Sequence, residues 1–302
     1  MDDAIEELRT LRDLIRWGAS RFNAAALTFG HGTDNALDEA AALVLHAVHL
    51  PPDTPDAYLD ARLTRAERDA AAALLERRIR ERKPAPYLTG EAWFAGLAFS
   101  VDERVIIPRS PIAELIERQL APWVEAEAVR RILDMGTGSG CIAVACAYYF
   151  PEAQVDAVDA SEGALEVARA NVVAHGVEGR VRILRSDLFE AVRDGRYDLV
   201  IANPPYVDRS GMEGLPAEHR HEPATGLAGG EAGLDFALPV LRQAPGFMAP
   251  GGVLVLEVGH SAPALAARCP HVPFTWLELE RGGAGVCLLD RERLVEHAEA
   301  FR

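Results

Sequence analysis

Asn203-Pro204-Pro205-Tyr206 is the segment whose residue types point most directly to a chemical task. It follows an apolar stretch, residues 197–202, that has the composition of a buried strand. Because proline donates no ladder hydrogen bond, the two prolines force the chain out of a sheet at this point. A neutral amide, bare carbonyl groups and an aromatic ring then stand at the C-terminal end of a strand. This set suits the holding and orientation of an NH2 group.

A glycine-rich turn follows the first predicted strand, residues 131–135, and leads into a helix over 141–149. Glycines allow a ligand to approach the backbone, and the free N–H groups of a helix N-terminus attract a negative group. A dinucleotide fingerprint has the spacing Gly-x-Gly-x-x-Gly/Ala, whose third position is Cys141 here. The observed spacing Gly-x-Gly-x-Gly over residues 136–140, with Asp134 upstream, is typical of doubly wound S-adenosylmethionine-dependent methyltransferases.

Acidic and amide side chains follow three more predicted strands. Asp159 comes just after residues 154–158, Asp187 shortly after 181–184, and Asn203 after the fourth strand. In an open parallel sheet, ligands bind outside the carboxyl ends of the strands. Asp159 can accept both hydroxyls of a ribose, and Asp187 can accept from an adenine amino group. The sequence therefore predicts a nucleoside-binding edge.

Strands and helices alternate from residue 130 onward, with a fifth strand over 252–258 and a terminal strand pair over 273–279 and 284–290. This alternation predicts an α/β fold with a doubly wound, mostly parallel, seven-stranded sheet covered by helices on both faces. A small all-helical domain is expected over 1–85, with helices near 5–19 and 36–50 and a third that opens with a Thr64–Glu67 capping box. A hairpin connector is expected over 86–107, and Ser110-Pro111 should start the first helix of the domain over 108–302.

Composition limits the function classes. A chain of 302 residues, 49% of them hydrophobic, is long enough for two domains with a sizeable core. The net charge of −15 disfavours a protein that grips free nucleic acid through its phosphates. Four cysteines match no zinc spacing and are interpreted as buried thiols. The longest apolar run, residues 141–150, is too short to span a bilayer, so a cytoplasmic protein without membrane contact is expected.

From about residue 86 to 290 the chain resembles the protein-(glutamine) methyltransferases, which methylate a side-chain amide nitrogen. The resemblance is carried by residues 105–109, 133–140, Asp159, 186–189, 203–206, Glu222-Pro223 and 226–230. Residues 30–35 and 108–112 resemble the branch that acts on large-subunit ribosomal protein three. The release-factor branch usually has Pro-Arg-Pro, and Ser110 departs from that pattern.

The resemblance implies S-adenosylmethionine as methyl donor and a ribosomal protein, free or in an assembly intermediate, as partner. The helical domain would recognise that substrate. The basic run over 77–83 is typical of an exposed, solvated helix face, and the alternative is a docking patch for ribosomal RNA or a basic ribosomal protein. No metal is expected, and the histidines at 219 and 221 are interpreted as loop residues. The cofactor contacts expected are Asp134, Gly136, Thr137, Gly138, Ser139, Gly140, Asp159, Asp187, Leu188 and Asn203. The substrate contacts expected are Asn203, Pro204, Pro205, Tyr206, Arg109 and Glu222, of which Asn203, Pro204 and Tyr206 are the candidate catalytic residues.

The candidate catalytic residues fit this reaction on chemical grounds. An amide nitrogen is a poor nucleophile because its lone pair is delocalised into the carbonyl. The Asn203 side-chain oxygen and the Pro204 carbonyl can accept its two N–H groups, which aims the nitrogen at the methyl group. Tyr206 can pack against the planar amide. Leu188 stands where the release-factor branch often has an aromatic residue, which predicts weaker stacking on adenine.

Three alternatives stay open at this point. Glutamine methylation of peptide chain release factors is the first. An adenine amino-methyltransferase uses a similar Asn/Asp-Pro-Pro-Tyr site, although it requires a flipped base and a more basic surface. A ribosome-assembly factor with an idle methyltransferase site is the third, and the intact set of Asp134, Gly136, Asp159 and Asn203 argues against it.

Overall fold

The structure is a computed structural model that describes residues 6–192 and 196–302. It divides into two compact units. The first comprises Met1–Ala92 and Leu215–His221, and the second comprises Trp93–Gly214 and Glu222–Arg302. The bounds expected from the sequence, at 85 and 107, stay predictions. The short segment Leu215–His221 was not anticipated as a part of the helical unit.

Four full helices lie in the described part of the first unit, namely α1 (Leu11–Ala24), α2 (Ala36–Ala47), α3 (Arg65–Glu81) and α4 (Ala85–Thr89). The predicted capping box at the start of α3 is confirmed. Helix α1 begins at Leu11, where Thr10 and Asp13 form a capping box of their own. The helix expected near 5–19 starts at residue 5, which lies outside the described residues, and Glu6-Glu7 form a separate helical stretch before α1. Leucine, alanine and phenylalanine side chains of these helices form the buried core of the unit.

A buried ion network holds the segment Leu215–His221 in the helical unit. The Arg78 side chain is fully buried and donates from Nε to Glu39 at 2.7 Å. Glu218 is also fully buried and pairs with Arg78 at 3.6 Å and with Arg82 at 2.8 Å. Burial raises the pKa of Glu39, while the Arg78 guanidinium opposes that rise. Arg78 therefore belongs to the core, and its assignment to an exposed basic face was wrong.

The second unit contains the predicted seven-stranded sheet. Its strands are β3 (Arg131–Met135), β4 (Gln154–Asp159), β5 (Val181–Arg185), β6 (Tyr197–Ala202), β7 (Met248–Glu257), β8 (Thr275–Trp276) and β9 (Val286–Asp290). Their order is β5-β4-β3-β6-β7-β9-β8, with β3 to β7 parallel and β9 antiparallel to both neighbours. The doubly wound, mostly parallel fold is confirmed. A separate hairpin of β1 (Glu91–Phe94) and β2 (Leu97–Ser100) confirms the predicted connection.

Helices flank the sheet of the second unit. They are α5 (Ile112–Glu117), α6 (Cys141–Tyr149), α7 (Glu162–Ala174), α8 (Arg209–Gly214), α9 (Ala237–Gln243), α10 (Ala262–Arg268) and α11 (Arg291–Glu296). The helix expected over 234–248 is shorter, because a 3-10 turn that contains Pro245 follows α9 and β7 begins at Met248. The strand expected over 273–279 is reduced to β8.

Two buried clusters occupy the interior of this unit, and the apolar helix α6 lies within the first of them. All four cysteines are buried free thiols, as expected. Burial raises the pKa of Cys141 and Cys287 to about 12. Among the described residues, no helix combines the length and the apolar character needed to cross a membrane.

Candidate active site

The strand register brings the predicted polar residues to one edge of the sheet. Met135 of β3 pairs with Val158 of β4 and with Ala202 of β6. Ala202 in turn pairs with Leu256 of β7. Because these strands are parallel, the residues that follow the paired positions lie side by side. That set is Gly136, Asp159, Asn203 and Glu257, the last of which the sequence reasoning missed.

The glycine turn after β3 is pinned to the neighbouring strand. The N–H groups of Gly136 and Thr137 both donate to the Val158 carbonyl at 2.9 Å. Gly138 donates its N–H to Asp159 Oδ2 at 2.9 Å. Gly136, Gly138 and Gly140 all have positive φ, the backbone region that favours glycine. The spacing found in the sequence is therefore a backbone requirement of this turn.

Gly140 meets a second requirement, because α7 lies close to it. A Cβ at this position would lie 3.1 Å from the Ala168 Cβ and 3.2 Å from its Cα. The φ of +80° adds strain for any residue with a side chain. Only glycine satisfies both conditions, so the start of α6 can approach α7 closely.

Asp134 is fully buried beneath the glycine turn. Its Oδ2 accepts from the Thr137 hydroxyl at 2.5 Å and from the Ala143 N–H at 3.1 Å. Its Oδ1 is buried and has no hydrogen-bond partner among the described residues. Burial raises the pKa of Asp134 to about 7, against the hydrogen bonds from Thr137 and Ala143 that favour the charged form. An orphaned buried carboxylate oxygen is an acceptor that suits an ammonium group.

The two predicted nucleoside contacts differ in their surroundings. Asp159 already accepts two backbone N–H groups, from Gly138 and from Ser161, each at 2.9 Å. Asp187 is exposed and lines a shallow depression with residues on either side of it, namely Ala160, Arg185, Ser186, Glu190 and Ala191. The carboxylate of Asp159 is thus oriented by the protein, whereas Asp187 is open to a ligand.

Leu188 has φ +45°, a strained conformation for a leucine. Its carbonyl accepts from the Ser186 hydroxyl at 2.7 Å, and the same hydroxyl accepts from the Ala191 N–H at 3.0 Å. Ser186 therefore fixes the turn that presents Leu188. The side chain is half-buried and packs against the core.

Asn171 is a positioning residue that the sequence reasoning missed. It is buried in α7 and donates to the Ser139 carbonyl at 2.8 Å, within the glycine turn. It also exchanges hydrogen bonds with the backbone of Ser100, accepting at 2.8 Å and donating at 3.0 Å. The available signal was an asparagine on the same helical face as the buried Ala164 and Ala168.

Asn203 leaves β6 at the edge formed by the other strand ends. Its side chain is half-buried, and among the described residues it forms no hydrogen bond. Pro204 is buried, and Pro205 and Tyr206 are half-buried. The amide of Asn203 is therefore available to a ligand at the position that the motif predicted.

Tyr206 is enclosed by glycines from two other segments. A Cβ on Gly259 would lie 2.4 Å from the Tyr206 ring, and one on Gly229 would lie 2.7 Å from the Tyr206 Cα. A Cβ on Gly233 would lie 2.3 Å from the Tyr206 carbonyl oxygen, which accepts from the Ser261 hydroxyl at 2.7 Å. The tyrosine consequently sits in a close-fitting cradle. Gly229, which lies in the stretch 226–230 that carried the resemblance, forms part of it.

The Tyr206 hydroxyl donates to Glu257 Oε1 at 3.1 Å. The Ser110 hydroxyl donates to the other carboxylate oxygen, Oε2, at 2.5 Å. Burial, and then the charge of Glu257, raise the pKa of Tyr206 well above its ordinary value. Burial also raises the pKa of Glu257, against the two hydrogen bonds it receives. Tyr206 therefore stays protonated and acts as a hydrogen-bond donor.

Arg109 and Glu222, both expected to contact substrate, bind each other. The guanidinium donates to the two carboxylate oxygens at 2.5 and 2.9 Å, a bidentate pair. Glu222 Oε1 also accepts the Ile107 N–H at 3.0 Å. The pair fastens residues 107–109 to the Glu222-Pro223 segment. Their contact with a substrate stays a prediction, as do the other expected ligand contacts.

The histidines at 219 and 221 belong to the helical unit. The His219 ring lies 4.3 Å from the His31 ring between centroids. His221 Nε2 is 3.0 Å from the Glu81 carbonyl oxygen. His31 and His219 also offer ligand atoms within 4.8 Å of one another, a spacing that could hold a metal ion. The interpretation as loop histidines without a metal therefore stays a prediction.

Comparisons with known proteins give consistent matches. The family model described as Methyltransferase small domain matches residues 117–218. The ribosomal protein uL3 glutamine methyltransferase of Bordetella pertussis is 52% identical over 290 residues, which cover 96% of this chain and 97% of that protein. The protein of the same name from Xanthomonas campestris is 49% identical over 295 residues, which cover 98% of this chain and 96% of the relative.

Among solved structures, the hMettl16 catalytic domain in complex with the MAT2A 3′UTR hairpin 6 matches with a TM-score of 0.50. The match covers 74% of this chain and 80% of that chain, at 16% sequence identity. At that identity the likeness concerns the fold alone.

Proposed function

We propose that this chain, which belongs to the family of ribosomal protein uL3 glutamine methyltransferases, transfers a methyl group from S-adenosylmethionine to the side-chain amide nitrogen of a glutamine in ribosomal protein uL3. The observation that carries the proposal is the amide of Asn203, which is available at the strand edge beside the glycine turn. A neutral acceptor at this place suits a neutral amide as the methyl acceptor.

Four groups of the chain fit the methyl donor. The orphaned Oδ1 of Asp134 suits the ammonium of its amino acid part, and the N–H groups at the start of α6 suit its carboxylate. Asp159, held by two backbone N–H groups, suits the ribose hydroxyls. The depression that Asp187 lines suits the adenine. S-adenosylmethionine supplies an electrophilic methyl group on a sulfonium.

The motif after β6 would prepare the acceptor. The Asn203 side-chain oxygen and the Pro204 carbonyl can accept the two N–H groups of the glutamine amide. Holding the amide in this way aims its nitrogen and stabilises the positive charge that develops on it, and orientation of this kind contributes up to about 7–11 kcal/mol in the best cases. Tyr206, fixed in its glycine cradle, can pack against the amide plane. The proton that the methylated nitrogen loses can pass to water.

Substrate choice is assigned to the helical unit, with a ribosomal protein that is free or in an assembly intermediate as partner. The names of the curated relatives support uL3. Proximity to ribosomal RNA and a cytoplasmic location follow from such a partner, and both are part of the proposal. The net charge of −15 supports a protein acceptor over free nucleic acid.

The test is incubation of the chain with S-adenosylmethionine and unmethylated uL3, followed by intact-mass measurement and peptide mapping. The expected result is the mass of one methyl group on a single glutamine. Asn203→Ala should abolish most turnover, whereas Asp159→Ala should mainly weaken binding of the methyl donor. Gln154→Ala, which changes an exposed amide side chain at the start of β4, serves as the matched control and should leave both unchanged.

Two other outcomes would refute the uL3 assignment. If a release-factor glutamine is methylated while uL3 stays unmodified under the same conditions, the proposed reaction is correct but the proposed substrate is wrong. Methyl transfer to adenine in RNA or DNA, with no protein modified, would also overturn the proposed reaction. Equal effects of Asn203→Ala and Asp159→Ala on binding and turnover would refute the separate roles given to the two residues.

A further inference from the structure

We propose that Glu257 is a positioning residue for the methyl transfer: its carboxylate anchors the Tyr206 hydroxyl and so fixes the ring beside the acceptor amide. The inference rests on the proposed function, since it concerns the same site. It adds a residue and a role that the resemblance did not assign, on a strand that the motif does not include.

The sheet register places Glu257 level with the motif. Ala202 pairs with Leu256, so Asn203 and Glu257 are the next residues on adjacent parallel strands. Glu257 is also held from the other side, where it pairs with Val286 of β9. A residue fixed by two neighbouring strands is a rigid base for a contact to a loop.

Burial argues that this carboxylate is retained for a specific purpose. Glu257 is 3% exposed, and its two oxygens accept from Ser110 and from Tyr206. A buried carboxylate costs free energy that an apolar side chain of similar size would avoid. The two hydrogen bonds offset that cost, and the one from Tyr206 also fixes the hydroxyl end of its ring. The glycine cradle fixes the near end of the same residue.

The same sheet offers a matched control. Tyr197, at the start of β6, donates its buried hydroxyl to the carboxylate of Asp156 on β4 at 2.6 Å. This pair has the chemistry of Tyr206 and Glu257 but lies at the opposite end of the strand. Tyr197→Phe therefore removes an equivalent hydrogen bond away from the site.

The experiment measures kcat and KM for uL3 methylation in Glu257→Ala, Glu257→Gln, Tyr206→Phe, the Tyr206→Phe/Glu257→Ala double variant and Tyr197→Phe. Glu257→Ala should lower kcat by about 10-fold to 100-fold, as loss of a hydrogen bond to a charged group does. KM for S-adenosylmethionine should change less than about twofold. Glu257→Gln retains an acceptor for the tyrosine and should recover most of the loss. Thermal unfolding verifies that each variant is folded.

The double variant decides whether Glu257 acts through Tyr206. In the Tyr206→Phe background, Glu257→Ala should cause no further loss of kcat. If the two residues acted independently, the fold-losses of the two single variants would multiply in the double variant. Multiplied losses, or an equal loss in Tyr197→Phe, would overturn the inference. If Glu257→Ala does not fold, Ser110→Ala and Glu257→Gln test the same chain of contacts. If the wild-type protein methylates no glutamine, the proposed function itself is refuted. If the wild type is active but the losses of the two variants multiply, only the inference about Glu257 is refuted.

Discussion

Replacement of Asp134 by asparagine should stabilise the protein at alkaline pH while weakening its binding of S-adenosylmethionine. The carboxylate is fully buried with one oxygen unpartnered, and burial raises its pKa from 3.8 to about 7. Because the folded state holds the proton more tightly than the unfolded state, stability is greatest below pH 3.8 and decreases as the pH rises towards 7. An asparagine side chain at this position would be neutral at every pH, so this loss disappears in the variant.

The size of the effect follows from the pKa shift. A rise from 3.8 to about 7 corresponds to a total of about 4 kcal/mol at high pH. By linkage, about 1.5 kcal/mol of this is already lost at pH 5, and about 2.5 kcal/mol more is lost between pH 5 and pH 8. The difference in the free energy of unfolding between the wild type and Asp134→Asn reports on this residue alone, because both proteins contain all the other titrating groups.

The assay is denaturant unfolding of both proteins at pH 5 and pH 8. The unfolding transition to be analysed is the one that moves to higher denaturant concentration when S-adenosylmethionine is added. The free energy of unfolding of Asp134→Asn should exceed that of the wild type, and the excess should grow with pH. The ligand should shift the wild-type transition more at pH 8 than at pH 5, and it should shift the variant's transition only weakly. A variant less stable than the wild type at pH 8, or an excess independent of pH, would refute the assignment of a raised pKa to Asp134.

Three further substitutions test other features. Gly140→Ala combines a conformation that costs about 1–2 kcal/mol with a close contact to Ala168, so calorimetry should show weaker binding of S-adenosylmethionine. Arg78→Leu leaves the buried carboxylate of Glu39 without its arginine and should cost about 3–5 kcal/mol in denaturant unfolding, whereas Arg77→Leu should cost less than about 1 kcal/mol. Asn171→Leu releases the glycine turn and should also lower ligand affinity in the same titration. Unchanged affinities, or equal costs at the two arginines, would contradict these expectations.

Local rules predicted the architecture well because each rests on backbone chemistry. The alternation of strands and helices gives the parallel sheet, and proline after β6 ends that strand where expected. The glycine spacing at 136–140 reflects positive φ values that side chains disfavour. These constraints act within a few residues, so the sequence displays them directly.

Contacts between distant segments were harder to predict. Glu257 is the last residue of β7, but the strand was expected to run to residue 258, so the strand-end rule did not select it. Its link to Ser110 depends on a separation of 147 residues that no pattern reveals. For the same reason, the pairing of Arg109 with Glu222 was not predicted. The burial of Arg78 was hidden because a run of basic residues resembles an exposed face.

The chain passes between its two units three times, after Ala92, after Gly214 and after His221. A single cut therefore cannot release the helical unit in one piece, because residues 93–302 would retain Glu218 without the arginines that bind it. Exchange of helical units between relatives would likewise require a graft of two segments, the N-terminal one and 215–221. In this architecture, the part assigned to substrate choice cannot be inherited as a simple N-terminal module.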